Sequence, residues 1–128
     1  MPLSQAAFFL HGAIGRYKYD FSYADEFESA IADQFAAGKR AIILNHHGLY
    51  AVGADARDAF FVTFHLKQAC EVQLLAQSSG RPLLMPDKNE LAQQYSEMIA
   101  SPDYAYDGSR EWAGCIRKLN RELPGYEA

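Results

Sequence analysis

From Arg40 to Gly53 the chain reads RAIILNHHGLYAVG, two short apolar runs joined by a turn that holds two of its four histidines. Arg40–Asn45 predicts a buried strand and Leu49–Val52 a second, since each is a run of aliphatic or aromatic residues bounded by turn formers. The few residues between them fall far short of the dozen or so that a crossover connection needs, so the two strands fold back as a hairpin. An isolated hairpin is marginally stable in water. The rest of the chain must therefore cover it, and His46 and His47 stand at its tip.

Helical cover is written on both sides. Upstream, Phe27, Ile31 and Phe35 recur at helical spacing and predict a helix over Ala24 to Ala37, with Ser22 or Asp25 as its cap and Gly38 as its end. Downstream, Asp55 to Ser79 is the longest helical signal, opened by an acidic residue and closed by Gly80. Ala59, Val62, Leu66, Ala69 and Cys70 form one apolar stripe along it, as a helix lying on a sheet should. Phe60, Phe64 and Leu75, with Phe61 nearby, form a second. A helix apolar on two sides needs two partners, so this one packs on its own sheet and also on another helix, another subunit or a segment outside this chain. Residues 1–23, rich in aromatics and interrupted by Gly12 and Gly15, predict strand and irregular structure with no long helix. Pro82 to Pro86 is a short extended connector. Two more helices follow, about Lys88 to Ala100 and Ser109 to Leu123, before a loose tail, PGYEA.

Length and charge narrow the class. With 128 residues, 49% of them hydrophobic, one α/β domain over 1–128 is expected. The net charge of −4, with lysines and arginines scattered, excludes the electrostatic footprint of a nucleic-acid binder. The longest apolar stretch, AFFVTFHL, is broken by Thr63 and His65 and is far shorter than the roughly 20 residues of a spanning helix. No membrane partner is expected. Cys70 and Cys115 lack a close-spaced partner and read as reduced, buried core thiols of a cytoplasmic protein. His65, on the polar-facing arc of the long helix, reads as solvent-exposed or at an interface, and His11 as a structural histidine. Tyr126 falls in the frayed tail.

A helix ending at Gly38, the strand RAIIL, the turn NHHG, the strand LYAVG and then ADARDAFFVTFHLKQACEVQLLA together resemble the C-terminal half of the class II aldolase/adducin family. The likeness runs from about Leu3 to Leu83, and WAGCIRKLNRELPGY resembles the end of adducin-like members. The resemblance implies a three-layer α/β/α sandwich around a mixed, largely antiparallel sheet, of which this chain supplies about half. In zinc-dependent members the histidine immediately before the turn glycine binds the metal, which makes His47, followed by Gly48, the metal candidate. A neutral ring nitrogen held by a short turn is a good ligand for zinc. His46 occupies the place of the family's asparagine. Adjacent side chains on a strand diverge, so the two histidines do not bind one ion together, and His46 is left a structural or supporting hydrogen bond. Lys67 stands where the family usually has glutamate.

The family's site also uses a His-x-His pair and a carboxylate from the N-terminal half, and this chain has no His-x-His. By the resemblance, then, the chain is a C-terminal fragment. A catalytic zinc site takes about three protein ligands and an open position, so it is not catalytically competent alone. Two readings of the parent follow. One is a zinc-dependent carbon–carbon lyase acting on a sugar-phosphate-type substrate, the metal serving as Lewis acid. The other is an adducin-like, non-catalytic oligomerisation or protein-binding module. On either reading the expected partners are a second copy of the chain or the missing N-terminal half, the latter absence exposing strand edges and the second apolar stripe.

Overall fold

A computed structural model describes residues 2–18, 25–101 and 107–127. The elements run α1 (Gln5–Phe8), β1 (Ile14–Tyr17), α2 (Asp25–Ala36), β2 (Ala41–Leu44), β3 (Gly48–Ala51), α3 (Ala56–Ser78), α4 (Lys88–Ala100) and α5 (Ser109–Glu122). The hairpin forms as expected, its first strand a residue shorter at each end and its second one residue earlier, with Leu44 opposite Gly48 and Ala41 opposite Ala51. β2 is the central strand, because β1 pairs with its other side in parallel, Ile14 opposite Ala41 and Tyr17 opposite Leu44. The parallel pairing is possible because α2 carries the chain back to the start of β2. The sheet is thus mixed, one pairing of each kind among the described strands.

The apolar run AIIL forms the middle of two cores because it has no polar side. Ala41 and Ile43 face one way, joining Leu10, Ile14, Ala51, Val62 and Leu66. Ile42 and Leu44 face the other, joining Tyr17, Phe27, Ile31 and Phe35. So α2 covers one face, and α3, helped by the segment after α1, covers the opposite one. The helical spacing of Phe27, Ile31 and Phe35 is what aims α2 at the sheet. Its expected cap, Ser22, lies outside the described residues, as does the side chain of Asp25. The short α1 is an addition to the expected strand and irregular structure of the first 23 residues. The Oγ of Ser4 accepts the Ala7 N–H at 3.3 Å to start this single turn.

Helix α3 begins as its acidic opening predicts, the Asp55 carboxylate accepting the N–H groups of Arg57 and Asp58 at 2.9 and 3.1 Å. Its buried arc is wider than the expected stripe. Phe61, Val62, His65 and Leu66 are the buried residues, because α1 lies against α3 beside the sheet and covers the arc next to the sheet-facing one. His65 is therefore only 8% exposed, which corrects its reading as a solvent-exposed residue. Cys70 is corrected in the opposite sense. It is exposed rather than buried, since the C-terminal half of α3 extends past the cover of the sheet, where Leu74 and Leu75 are 67% and 71% exposed.

The second apolar side of α3 is only partly covered. Trp112 of α5 meets Phe60 edge-on at 5.7 Å, while Phe64, stacked on Phe60 at 5.9 Å, remains 45% exposed. Close approach of the two helix starts depends on Gly108, whose φ is +71° and where a Cβ would lie 2.4 Å from the Arg57 carbonyl oxygen. Helix α4 buries Leu91 and lays Tyr95 against Phe8 and His11, ring centroids 5.9 and 5.4 Å apart. His11 is accordingly a packed structural residue. Among the described residues no helix is long and apolar enough to cross a membrane.

Candidate metal-ligand turn

The turn at the tip of the hairpin is three residues long, Asn45, His46 and His47. Its backbone is tied at both ends. The Asn45 N–H donates to the carbonyl of Tyr17 at 3.1 Å, fastening the turn to β1, and the His47 N–H donates to the carbonyl of Leu44 at 3.3 Å, closing it. His46 takes the left-handed conformation at φ 61°, the one described residue other than glycine to do so. A β-carbon is strained there, and asparagine and glycine tolerate the region best. That is a physical reason for the asparagine that the family resemblance implies at this position. Replacing His46 by asparagine should therefore stabilise the fold by a few tenths of a kcal/mol up to about 1 kcal/mol, read as a raised urea midpoint at unchanged slope.

Both histidine side chains are exposed at this end of the sheet. The opposite end of the hairpin is clamped. Arg40 pairs with Asp58 of α3, the second Asp58 oxygen accepts the Ala54 N–H at 3.0 Å, and the Val52 N–H donates to the Arg40 carbonyl at 2.9 Å. The Asp58 side chain is only 16% exposed, so this pair is less screened than a surface ion pair. It fixes where β3 leaves the sheet and α3 begins. Neither residue stood out in the sequence, because the pair joins positions 18 apart across a loop. Lys67, by contrast, makes an exposed pair with Glu71 one turn on, at 2.5 Å, the kind worth a few tenths of a kcal/mol.

Asp55 and His65 are among the groups with shifted proton affinities. The guanidinium of Arg57, hydrogen-bonded to Asp55, holds that cap carboxyl below the usual range, helped by the Asp58 N–H. Burial pushes His65 down, with the Glu111 carboxylate of α5 pulling weakly the other way. A histidine whose folded pKa lies below its unfolded value of about 6.5 binds protons more readily when unfolded, so its contribution is full above that value and lost as pH falls through the window beneath it. Thermal stability should thus fall as pH is lowered from about 7 towards 5, and His65→Phe should flatten the part of that decline due to this group. A decline of equal size in the variant would assign it to other groups.

What the geometry offers chemically at the hairpin tip is two exposed imidazoles, His46 and His47, on a tied turn. Among the described residues no three His, Cys, Asp or Glu side chains gather where they could hold a metal ion. The residues of this chain fit one corner of a metal site, and no reaction step can be derived through a metal from them alone.

The chain is thus a three-stranded mixed sheet with helices on both faces and a histidine-glycine hairpin tip. The family described as the class II aldolase and adducin N-terminal domain matches residues 2–74, more than half of the chain, and the chain belongs to that family. It is 32% identical over 129 aligned residues to a protein of Pseudomonas aeruginosa provisionally named an aldolase class 2 protein, covering 98% of this chain and 49% of that protein. Mouse gamma-adducin is 35% identical over 78 residues, 59% of this chain and 11% of the adducin. The crystal structure of an aldolase II superfamily protein from Pseudomonas syringae superposes with a TM-score of 0.85 at 25% identity, over all of this chain and 51% of that one. The chain thus spans about half the length of the bacterial relatives it matches.

Proposed function

We propose that this chain, a single domain unit over 1–128, supplies the C-terminal half of a class II aldolase-like α/β/α sandwich. In it, His47 is one ligand of a zinc ion used for carbon–carbon bond cleavage of a sugar-phosphate-type substrate. The observation that carries the reading is the tied turn, which presents the His47 imidazole next to Gly48 at the end of a hairpin whose first strand, β2, is buried on both faces. On this reading the remaining ligands and the proton-transferring carboxylate come from another half of the domain. The isolated chain is on this reading inactive. Cleavage of a ketose 1-phosphate should appear only when the chain is combined with such a complementary half, and should be lost with His47→Ala.

A second reading, an adducin-like non-catalytic module that oligomerises or binds other proteins, is favoured by two observations. His46 stands in a left-handed position where the family's asparagine would be at ease, and α3 leaves Phe64, Leu74 and Leu75 exposed in an otherwise structured region. Apolar side chains grouped on one helix are a surface for association. The isolated chain should self-associate at micromolar concentration, as the outer edges of β1 and β3 also carry no further strand among the described residues. A single monomeric species in sedimentation velocity would contradict this. Unpaired Cys70 and Cys115 suit a reducing compartment such as the cytoplasm.

A further inference from the structure

Strand β1 is an edge, and the space beside it lies under an overhang of α3. Its inner side is fixed by hydrogen bonds toward β2. The Ala13 carbonyl accepts the N–H groups of Arg40 and Ala41 at 2.8 and 3.3 Å, and the Tyr17 carbonyl accepts that of Asn45 at 3.1 Å. Peptide groups alternate in direction along a strand, so Ile14 and Arg16 turn theirs outward, where no further strand lies among the described residues. Above that edge a wedge of about 500 Å³ opens between Ile14, Arg16 and Ile43 of the sheet and Leu66, Ala69 and Leu74 of α3. We propose that this wedge and the outer edge of β1 together seat an apolar β-strand of a complementary half-domain, which pairs with β1 and lays its side chains under α3. The inference rests on the half-domain reading above and adds the place where that half docks.

Three observations select this occupant. Helix α3 outruns what lies beneath it, since Leu66 packs on the sheet whereas Leu74 is 67% exposed. Between those two residues the helix advances about 12 Å, at about 1.5 Å per residue, and strands lie about 4.8 Å apart, so this length can roof one or two more strands. The second observation is charge. Arg16 is the one lining residue with a permanent charge, and it makes no ion pair among the described residues. A strand with a carboxylate opposite Arg16, set among apolar neighbours, complements that wall. β1 itself holds no acidic residue, so a second copy meeting it edge to edge brings Arg16 no counter-charge. The third is length, because the bacterial relatives carry about as much chain again as this one. In the isolated chain the edge is guarded by Arg16, as charged side chains commonly guard free edges. The Gln34 amide also donates to the Arg16 carbonyl at 3.3 Å, an exposed bond that an incoming strand replaces with a main-chain one.

Cys70 lines the wedge and is exposed, while Cys115 lies on α5, so the two thiols supply a probe and its control. The chain is co-expressed with the part of the Pseudomonas aeruginosa relative that lies outside the match, and the purified complex is alkylated with iodoacetamide in EDTA, each thiol being followed by mass spectrometry. Cys70 should react at least tenfold more slowly than in the isolated chain, and Cys115 should change less than twofold. Leu74→Glu, at an exposed position, should weaken the complex at least tenfold, whereas Leu49→Glu on β3, the other edge of the sheet, should leave it within about threefold. A complex in which Cys70 keeps the rate of the isolated chain, or which both substitutions weaken equally, would overturn this seat and leave the half-domain reading standing. Absence of any complex would overturn both. Protection of Cys70 that rises with the concentration of the isolated chain would make a second copy the occupant and would also overturn the proposal.

Discussion

Replacing Gly53 by alanine should destabilise the protein by about 3 kcal/mol, lowering its melting temperature by roughly 10 °C. Gly53 lies between β3 and α3, where the chain turns from the hairpin into the helix that covers the sheet. A Cβ there would fall 2.4 Å from the Ala59 nitrogen, 2.7 Å from the Asp58 carbonyl carbon and 2.8 Å from the Asp58 Cβ. Two of these three atoms are backbone of the first turns of α3, which cannot rotate away as a flexible side-chain tip would. The helix must shift, and Asp58 shifts with it. That movement strains the Arg40–Asp58 pair and the Ala54 N–H bond, the two contacts that hold the hairpin base to α3. Gly48 at the opposite end of the same strand is the internal control. Nothing lies within 4 Å of a Cβ there, so Gly48→Ala should change stability by no more than about 0.5 kcal/mol. Equal melting temperatures for the two variants would mean that β3 and α3 do not approach each other this closely.

The contrast between the two glycines shows what the sequence discloses. The hairpin, α2 and α3 were legible because their cues are local: a short connection between apolar runs, a helical repeat of phenylalanine and isoleucine, an aspartate that caps the helix it precedes. Helix α4 falls at Lys88–Ala100 as expected for the same reason. What was not legible depends on contacts between residues distant in the chain. The parallel pairing of β1 with β2 is one such contact, and the Arg40–Asp58 clamp is another. His65 and Cys70 were misplaced in opposite directions because a helical wheel gives the spacing of side chains but not the rotation of the helix against its neighbours. Once α1 lies beside α3, His65 turns inward, and once α3 outruns its cover, Cys70 turns outward. At the hairpin tip, spacing identified His47 only through resemblance to a family. The structure adds the tied turn and the left-handed His46, which explain why an imidazole in that place is held out from the sheet.

On the proposed reading His47→Ala carries the other large expected effect, because it would remove a metal ligand for which the turn has no substitute nearby. Histidine ligands contribute strongly to zinc affinity, and even changes to the groups that merely orient such ligands cost about 10–100-fold, so removing the ligand itself should cost about 100-fold or more. The effect should be confined to the metal. His47 is exposed on a turn, its backbone N–H bond to Leu44 survives the substitution, and stability should change by less than about 0.5 kcal/mol. His46→Ala should leave metal affinity within a fewfold of wild type, since on the proposed reading only His47 binds the metal.

The most direct test is the zinc content of the chain combined with a complementary half-domain taken from the Pseudomonas aeruginosa relative, purified without chelator and measured beside the same complex carrying His47→Ala. Near one zinc per complex in the wild type, falling to a small fraction in the variant while the isolated chain holds little in either form, is the predicted result. Equal zinc in the wild-type and His47→Ala complexes would contradict the assignment of His47 as a metal ligand.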